Sequence, residues 1–175
     1  MPFEGTTSGC GRHRDLELRP ERDEDRDFLC RLYGSTRAEE LASVPWSDEE
    51  KQRFVRFQFE AQSRFYREQY PGATFEVIEI GGVPAGRLYV VEWGREIRLM
   101  DVALLPESRG SGVGTLLVRD LQARAAAAGK TLSVHVERLN PALRLYERRG
   151  FRVAEDKGVY LLLEWNAGGE APTSS

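Results

Sequence analysis

Apolar and polar positions alternate along Leu16-Glu17-Leu18-Arg19 with the period of a strand, and Pro20 stops the run. Asp23-Glu24-Asp25 then places acid where a helix should start. Phe28, Leu29, Leu32 and Tyr33 supply its apolar face, with Gly34 as its expected end. Residues 37–42 predict one more helical turn before Val44-Pro45-Trp46. Ser47-Asp48-Glu49-Glu50 fits a capping box, opening a helix expected to reach Tyr70 and to be stopped by Pro71-Gly72. At about 100° per residue, this helix carries two apolar stripes. Phe54, Phe57, Ala61 and Phe65 form one; Val55, Phe59, Tyr66 and Tyr70 form the other. Either both pack, one on a sheet and one on a helix, or the second lines an acceptor pocket or a dimer contact. On the latter reading, Phe59→Ala and Tyr66→Ala should weaken binding or dimerisation more than stability.

Residues 75–80 and 83–93 are apolar runs joined by Gly81-Gly82, a hairpin signal because both residues tolerate positive φ. Gly94-Arg95 turns the chain into a third antiparallel strand, 97–105. A glycine-rich turn follows, then a helix over 115–128 stopped by Gly129. Residues 131–137 alternate, with Leu132, Val134 and Val136 on one side and Ser133, His135 and Glu137 on the other. Asn140-Pro141 starts a short helix through Arg148, closed by Gly150; 151–154 and 159–165 read as two last strands. The order β-α-α-β-β-β-α-β-α-β-β predicts an α+β domain with a mixed sheet covered by helices.

Composition narrows the function without naming it. The 175 residues are 41% apolar and 30% charged, with a formal net charge of −3, so no broad basic face favours a nucleic acid or an anionic membrane. Cys10 and Cys30 make no disulfide framework and no metal spacing, and no metal site is expected. Residues 1–14 lack the apolar core of a signal peptide, and no stretch is long enough to span a bilayer. The expectation is a cytoplasmic protein with one domain over 15–166, a disordered leader at 1–14 and a disordered tail at 167–175.

The candidate chemistry starts at Arg109-Gly110-Ser111-Gly112-Val113-Gly114. A strand, a glycine-rich turn and a helix start in that order make an anion site. The first amides of a helix have no intrahelical acceptor, and the macrodipole adds partial positive charge. A dinucleotide fingerprint needs G-x-G-x-x-G, whereas the glycines here are spaced G-x-G-x-G. Gly129-Lys130-Thr131 could end a P-loop only if residue 124 were glycine, and it is arginine.

Arg109-x-x-Gly112-x-Gly114, after a strand ending Ala103-Leu104-Leu105-Pro106, resembles the acyl-CoA-binding motif of the GNAT family of N-acetyltransferases. The segment Asn140-Pro141-Ala142-Leu143-Arg144-Leu145-Tyr146, continued to Gly150-Phe151, is similar to that family's N-x-x-A-x-x-L-Y-x-x-x-G-F. The resemblance covers about 16–165, its first half in element order more than in residues. It implies a GNAT-like acyltransferase fold and acetyl-CoA as co-substrate. It also implies that the backbone amides of the glycine turn, Gly110, Ser111, Gly112, Val113 and Gly114, bind the pyrophosphate, with Arg109 adding a charged contact. The backbone of Ala103, Leu104 and Leu105 would pair with the pantetheine arm. Tyr146 stands where the family places a tyrosine that protonates or hydrogen-bonds the leaving sulfur. The family has seven positions from asparagine to tyrosine where this chain has six, so Asn140 is read both as a cofactor contact and as a helix cap, and Leu139 occupies the counted position.

Attack needs a neutral amine, hence a base. His135, on the polar side of its strand and with an ordinary pKa near 6.5, is the first candidate, and Asp101 the second. The expected reaction is direct transfer of acetyl to a primary amine in a ternary complex. The alternatives are a non-catalytic acyl-CoA-binding domain on the same fold and, less suited to the spacing, a nucleotide-binding oxidoreductase. The acceptor is a small-molecule or peptide amine, with arginines such as Arg37, Arg53 and Arg56 available to an acidic one and a homodimer among the expected states.

Overall fold

The structure, a computed structural model, describes residues 15–169. The leader expected at 1–14 and most of the tail expected at 167–175 lie outside the described residues. The elements are β1 (Leu16–Pro20), α1 (Arg26–Thr36), α2 (Ala38–Ala42), α3 (Asp48–Gln69), β2 (Thr74–Ile80), β3 (Val83–Glu92), β4 (Glu96–Leu104), α4 (Val113–Ala128), β5 (Thr131–Glu137), α5 (Leu143–Arg148), β6 (Arg152–Asp156) and β7 (Tyr160–Trp165). The helical turn predicted over 37–42 is the short α2; the rest of the order is as the patterns predict. The seven strands form one mixed sheet in the order β1-β2-β3-β4-β5-β7-β6. By packing, the described residues fall into two compact units. One comprises those up to Leu88 with Val102–Arg109, the other Tyr89–Asp101 with those from Gly110 onward.

In the first unit, α1 and α3 build a core of Phe28, Leu29, Leu32, Tyr33, Phe59 and Val77, against which Val55, Ala103 and Leu105 pack. Gly34 does not end α1, which continues for two residues to Thr36. A Cβ there would stand 3.2 Å from Cγ1 of Val55, so the glycine permits close approach of two helices rather than a stop. The capping box forms as read: Ser47 Oγ accepts from the Glu50 amide at 3.2 Å, and Glu50 Oε2 from the Ser47 amide at 2.7 Å. The two stripes of α3 have unequal fates. Phe59 is buried and tilted against Tyr33 at 6.2 Å, and Val55 packs on that core, while Tyr66 and Tyr70 further along the second stripe are half-buried. It is the first stripe that faces water, with Phe57 68% and Phe65 53% exposed and Phe54 edge-on to Trp46 at 5.3 Å. Phe59 therefore reports on stability, as the packing alternative has it.

Arg19 of β1 joins this unit's start to its sheet. Its guanidinium holds both oxygens of the buried Asp25 at 2.8 Å and Glu79 of β2 at 2.5 Å. Asp25 also accepts the Arg22 amide at 2.8 Å. Arg19 beside it holds the Asp25 carboxyl below its usual range.

In the second unit, α4 is the crossover that parallel pairing of β4 and β5 requires. It lies on β5, and Val113, Leu117, Val118, Leu121 and Ala125 are buried with Leu132, Val134 and Val136 of the strand. The alternation read in 131–137 thus gives the apolar side. Ser133, on the other side, is also fully buried, because Arg98 donates to its hydroxyl at 3.1 Å and Glu96 accepts from it.

Two stability outcomes follow from these cores. Phe59→Ala should cost about 3–5 kcal/mol in urea unfolding, and Phe57→Ala less than about 0.5 kcal/mol. Arg19→Met should cost about 3 kcal/mol near neutral pH by stranding the buried Asp25 carboxylate. Because the folded pKa of Asp25 is depressed, its contribution is present above the unfolded value near 3.9 and lost as pH falls through the folded one. The wild type should therefore lose stability on acidification below about pH 4 more steeply than Arg19→Met, as urea midpoints across pH will read.

Candidate active site

The glycine turn is built as its residue types require. After β4, Leu105 donates its amide to Ala85 at 2.8 Å, and Pro106–Ser108 forms one 3-10 turn. Gly110 and Gly112 then take φ of 68° and 89°, where a Cβ would clash with the following carbonyl. Gly112 is the N-cap of α4 and brings no side chain to it; the first turn holds no acidic residue. The first helical bond runs from the Leu116 amide to the Gly112 carbonyl at 3.1 Å, so the amides of Val113, Gly114 and Thr115 have no acceptor within the helix. The contrast with α3 is direct. There the first turn carries Asp48, Glu49 and Glu50, and the box consumes the amides.

The ladder between β4 and β5 runs from Glu96–Thr131 to Leu99–Val134, and β5 continues beside β7 as far as Glu137–Tyr160. β4 itself extends five residues beyond its last rung with β5. Of the three residues expected to offer backbone there, Leu105 has its amide on Ala85, and the Leu104 carbonyl receives Nε of Arg109 at 2.9 Å. Ala103 passes so close to Gly86 of β3 that its carbonyl would collide with any Cβ at 86. Sequence reading missed Gly86, although a glycine inside an apolar strand signals a close backbone approach. The Arg109 guanidinium, expected on a phosphate, reaches inward to Leu104 and, at 3.4 Å, to Ser35 Oγ.

Tyr146 on α5 is 3% exposed, with Phe151 edge-on to its ring at 5.3 Å. Burial, and then the negative charge of Asp101, push its phenol up to about 12. Leu145, beside it, is 3.5 Å from where a Cβ of Gly114 would lie, so α5 abuts the first turn of α4. Asn140 is exposed, and its Oδ1 accepts the Ala142 amide at 2.9 Å, so the carboxamide caps the turn that leads into α5. Leu139, at the position counted back from the tyrosine, is 92% exposed.

His135 lies on β5. Its Nε2 accepts from Lys157 Nζ at 3.3 Å. Burial lowers its pKa, and the nearby Arg98 and Lys157 lower it further against the opposing charges of Glu96 and Glu155. None of these groups is among the neighbours that act on Tyr146. Of the two candidate bases, Asp101 is the one whose charge acts on the tyrosine. Among the described residues no cluster of histidine, cysteine or carboxylates could hold a metal ion, and no helix is long and apolar enough to cross a membrane.

Comparison with known proteins agrees with this geometry. Residues 35–151 match the family model described as Acetyltransferase (GNAT) family. The chain belongs to the GNAT acetyltransferase family. The coenzyme A complex of PaiA N-acetyltransferase from Thermoplasma acidophilum shares its fold, with a TM-score of 0.66 at 17% identity over 86% of this chain and 98% of that one. An acetyltransferase from Thermus thermophilus superposes with a TM-score of 0.64 at 19% identity over 88% and 98%. A putative phosphinothricin N-acetyltransferase does so with 0.58 at 22% identity over 85% and 95%. No curated protein matches this sequence significantly. The chain is thus an acyltransferase of the GNAT class, with the mixed sheet of that fold.

The glycines of the turn should respond differently to the same change. Gly112→Ala, at φ 89°, should cost about 1–2 kcal/mol. Gly114→Ala, where the new methyl meets Leu145 at ordinary contact distance, should fall within about 0.5 kcal/mol of wild type in thermal melts.

Proposed function

We propose that the protein transfers acetyl from acetyl-CoA directly to a primary amine, with residues 15–166 acting as one catalytic domain in the cytoplasm. The family match over 35–151 runs through both compact units, which supports a single acyltransferase domain. The observation that carries the reading is the first turn of α4. It has unmet amides, no acid and no side-chain cap, and it follows a strand that outruns its ladder with β5. Such a turn suits a pyrophosphate, and a strand edge suits the amides of a pantetheine arm.

Acetyl-CoA supplies an already activated thioester, so no covalent enzyme intermediate is required. The amine nitrogen bonds to the acetyl carbon, the C–S bond breaks, and the departing sulfur takes its electron pair. Tyr146 donates its O–H to that sulfur; a phenol raised to about 12 stays protonated across the working pH range. The proton shed by the amine goes to Asp101, directly or through water, a reading supported by the effect of the Asp101 charge on the tyrosine. Arg109 holds the end of β4 to the turn, and Asn140 sets the entry to α5.

Thiol release from acetyl-CoA over a panel of amines tests the reading, and binding of coenzyme A with no turnover on any of them would favour the non-catalytic alternative. Tyr146→Phe should lower kcat by about tenfold or more while the Kd for coenzyme A moves less than about twofold. Asp101→Asn should lower kcat by about a hundredfold, and His135→Ala should leave it within about twofold of wild type. Gly112→Ala should weaken coenzyme A by about tenfold in calorimetry by turning the α4 amides away.

A further inference from the structure

The reaction needs the phenol of Tyr146 at a set position relative to the first turn of α4, yet the two lie on separate helices joined through β5 and a loop. One side chain ties them. Gln122, on α4 and 4% exposed, spends both ends of its carboxamide on the residue that closes α5. Its Nε2 donates to the Arg149 carbonyl at 2.8 Å, and its Oε1 accepts from Arg149 Nε at 3.1 Å and Nη2 at 2.8 Å. That carbonyl is a helix-end acceptor that α5 itself does not satisfy.

Arg149 in turn closes around the tyrosine. Its amide donates to the carbonyls of Leu145 at 3.0 Å and Tyr146 at 3.1 Å, and the Phe151 amide also reaches Tyr146 O, at 3.0 Å. Gly150, at φ 85°, turns the chain so that Phe151 lies edge-on to the phenol ring. An amide side chain suits this place, since its NH2 donates to the carbonyl while its oxygen accepts from the guanidinium. An apolar residue of similar length would leave both partners unmet in a partly buried place. Along α4, Gln122 lies roughly 12 Å from Gly114, so the tie acts on the second helix without touching the anion-binding turn.

We propose that Gln122 is a positioning residue for acetyl transfer, holding α5 through Arg149 so that Tyr146 meets the leaving sulfur. This rests on the role given to Tyr146 above. The experiment compares Gln122→Met and Gln122→Glu, each alone and with Tyr146→Phe, by kcat, KM for acetyl-CoA and Kd for coenzyme A. Gln122→Met should lower kcat about tenfold and leave the Kd within about twofold. Gln122→Glu still accepts from the guanidinium but loses the donation to the Arg149 carbonyl, so it should lose only about threefold. In the Tyr146→Phe background, neither change should lower kcat further, which a merely structural role would not produce.

Wild-type kcat in Gln122→Met, an equal loss in both backgrounds, or coenzyme A affinity falling in step with kcat would each overturn the proposal. Should Gln122→Met not fold, Gln122→Glu decides by the same criteria. A Tyr146→Phe enzyme with wild-type kcat removes the reading of Tyr146 and this inference with it. An impaired Tyr146→Phe beside an unimpaired Gln122→Met removes only this inference.

Discussion

The unmet amides at the start of α4 are the constraint on which the proposed cofactor site depends. A helix end with three unpaired donors is costly to leave without partners, and α3 shows how this same chain deals with one when no ligand is intended. There, Ser47 and Glu50 satisfy each other's amides, and acid fills the first turn. At α4 the N-cap is a glycine at positive φ and the first turn carries no charge. The two helix starts in one protein differ in capping and in charge, and the proposed pyrophosphate site rests on that contrast.

The site's electrostatics are then settled by burial rather than by residue type. Tyr146 on α5 and His135 on β5 are each displaced from the ordinary pKa chiefly by loss of water. For the phenol, burial and the Asp101 charge act in the same direction and keep it protonated, which suits a donor. For the imidazole, burial and two cations disfavour the charged form, and Lys157 occupies the nitrogen that would take a proton. The same physical cause keeps the phenol protonated, as the proposed donor role requires, and disfavours the charged imidazole.

Much of this is legible along the chain because the signals are local. Period-two alternation places β1 and β5, the capping box places the start of α3, and glycine spacing identifies the turn before α4 and excludes two nucleotide motifs. The resemblance carried by residues 109–114 and 140–151 adds the cofactor, and the family match agrees with it. The failures share a cause. Gly34 reads as a helix stop because glycine often is one, but its missing Cβ serves a contact with Val55, far along the chain. Gly86 escapes notice because the backbone it admits, that of Ala103, is not its neighbour in sequence.

Sequence alone therefore determined the elements, their order, the glycine turn and the tyrosine-bearing helix, since each depends on residues a few positions apart. Only tertiary structure decided between two equally apolar stripes of α3, because periodicity says that a face is apolar and not which face meets a partner. It also put the charge of Asp101 where it acts on Tyr146, and it joined Gln122 to Arg149 across 27 positions. Those choices depend on which distant side chains share a volume and exclude water from it, and no local spacing encodes that.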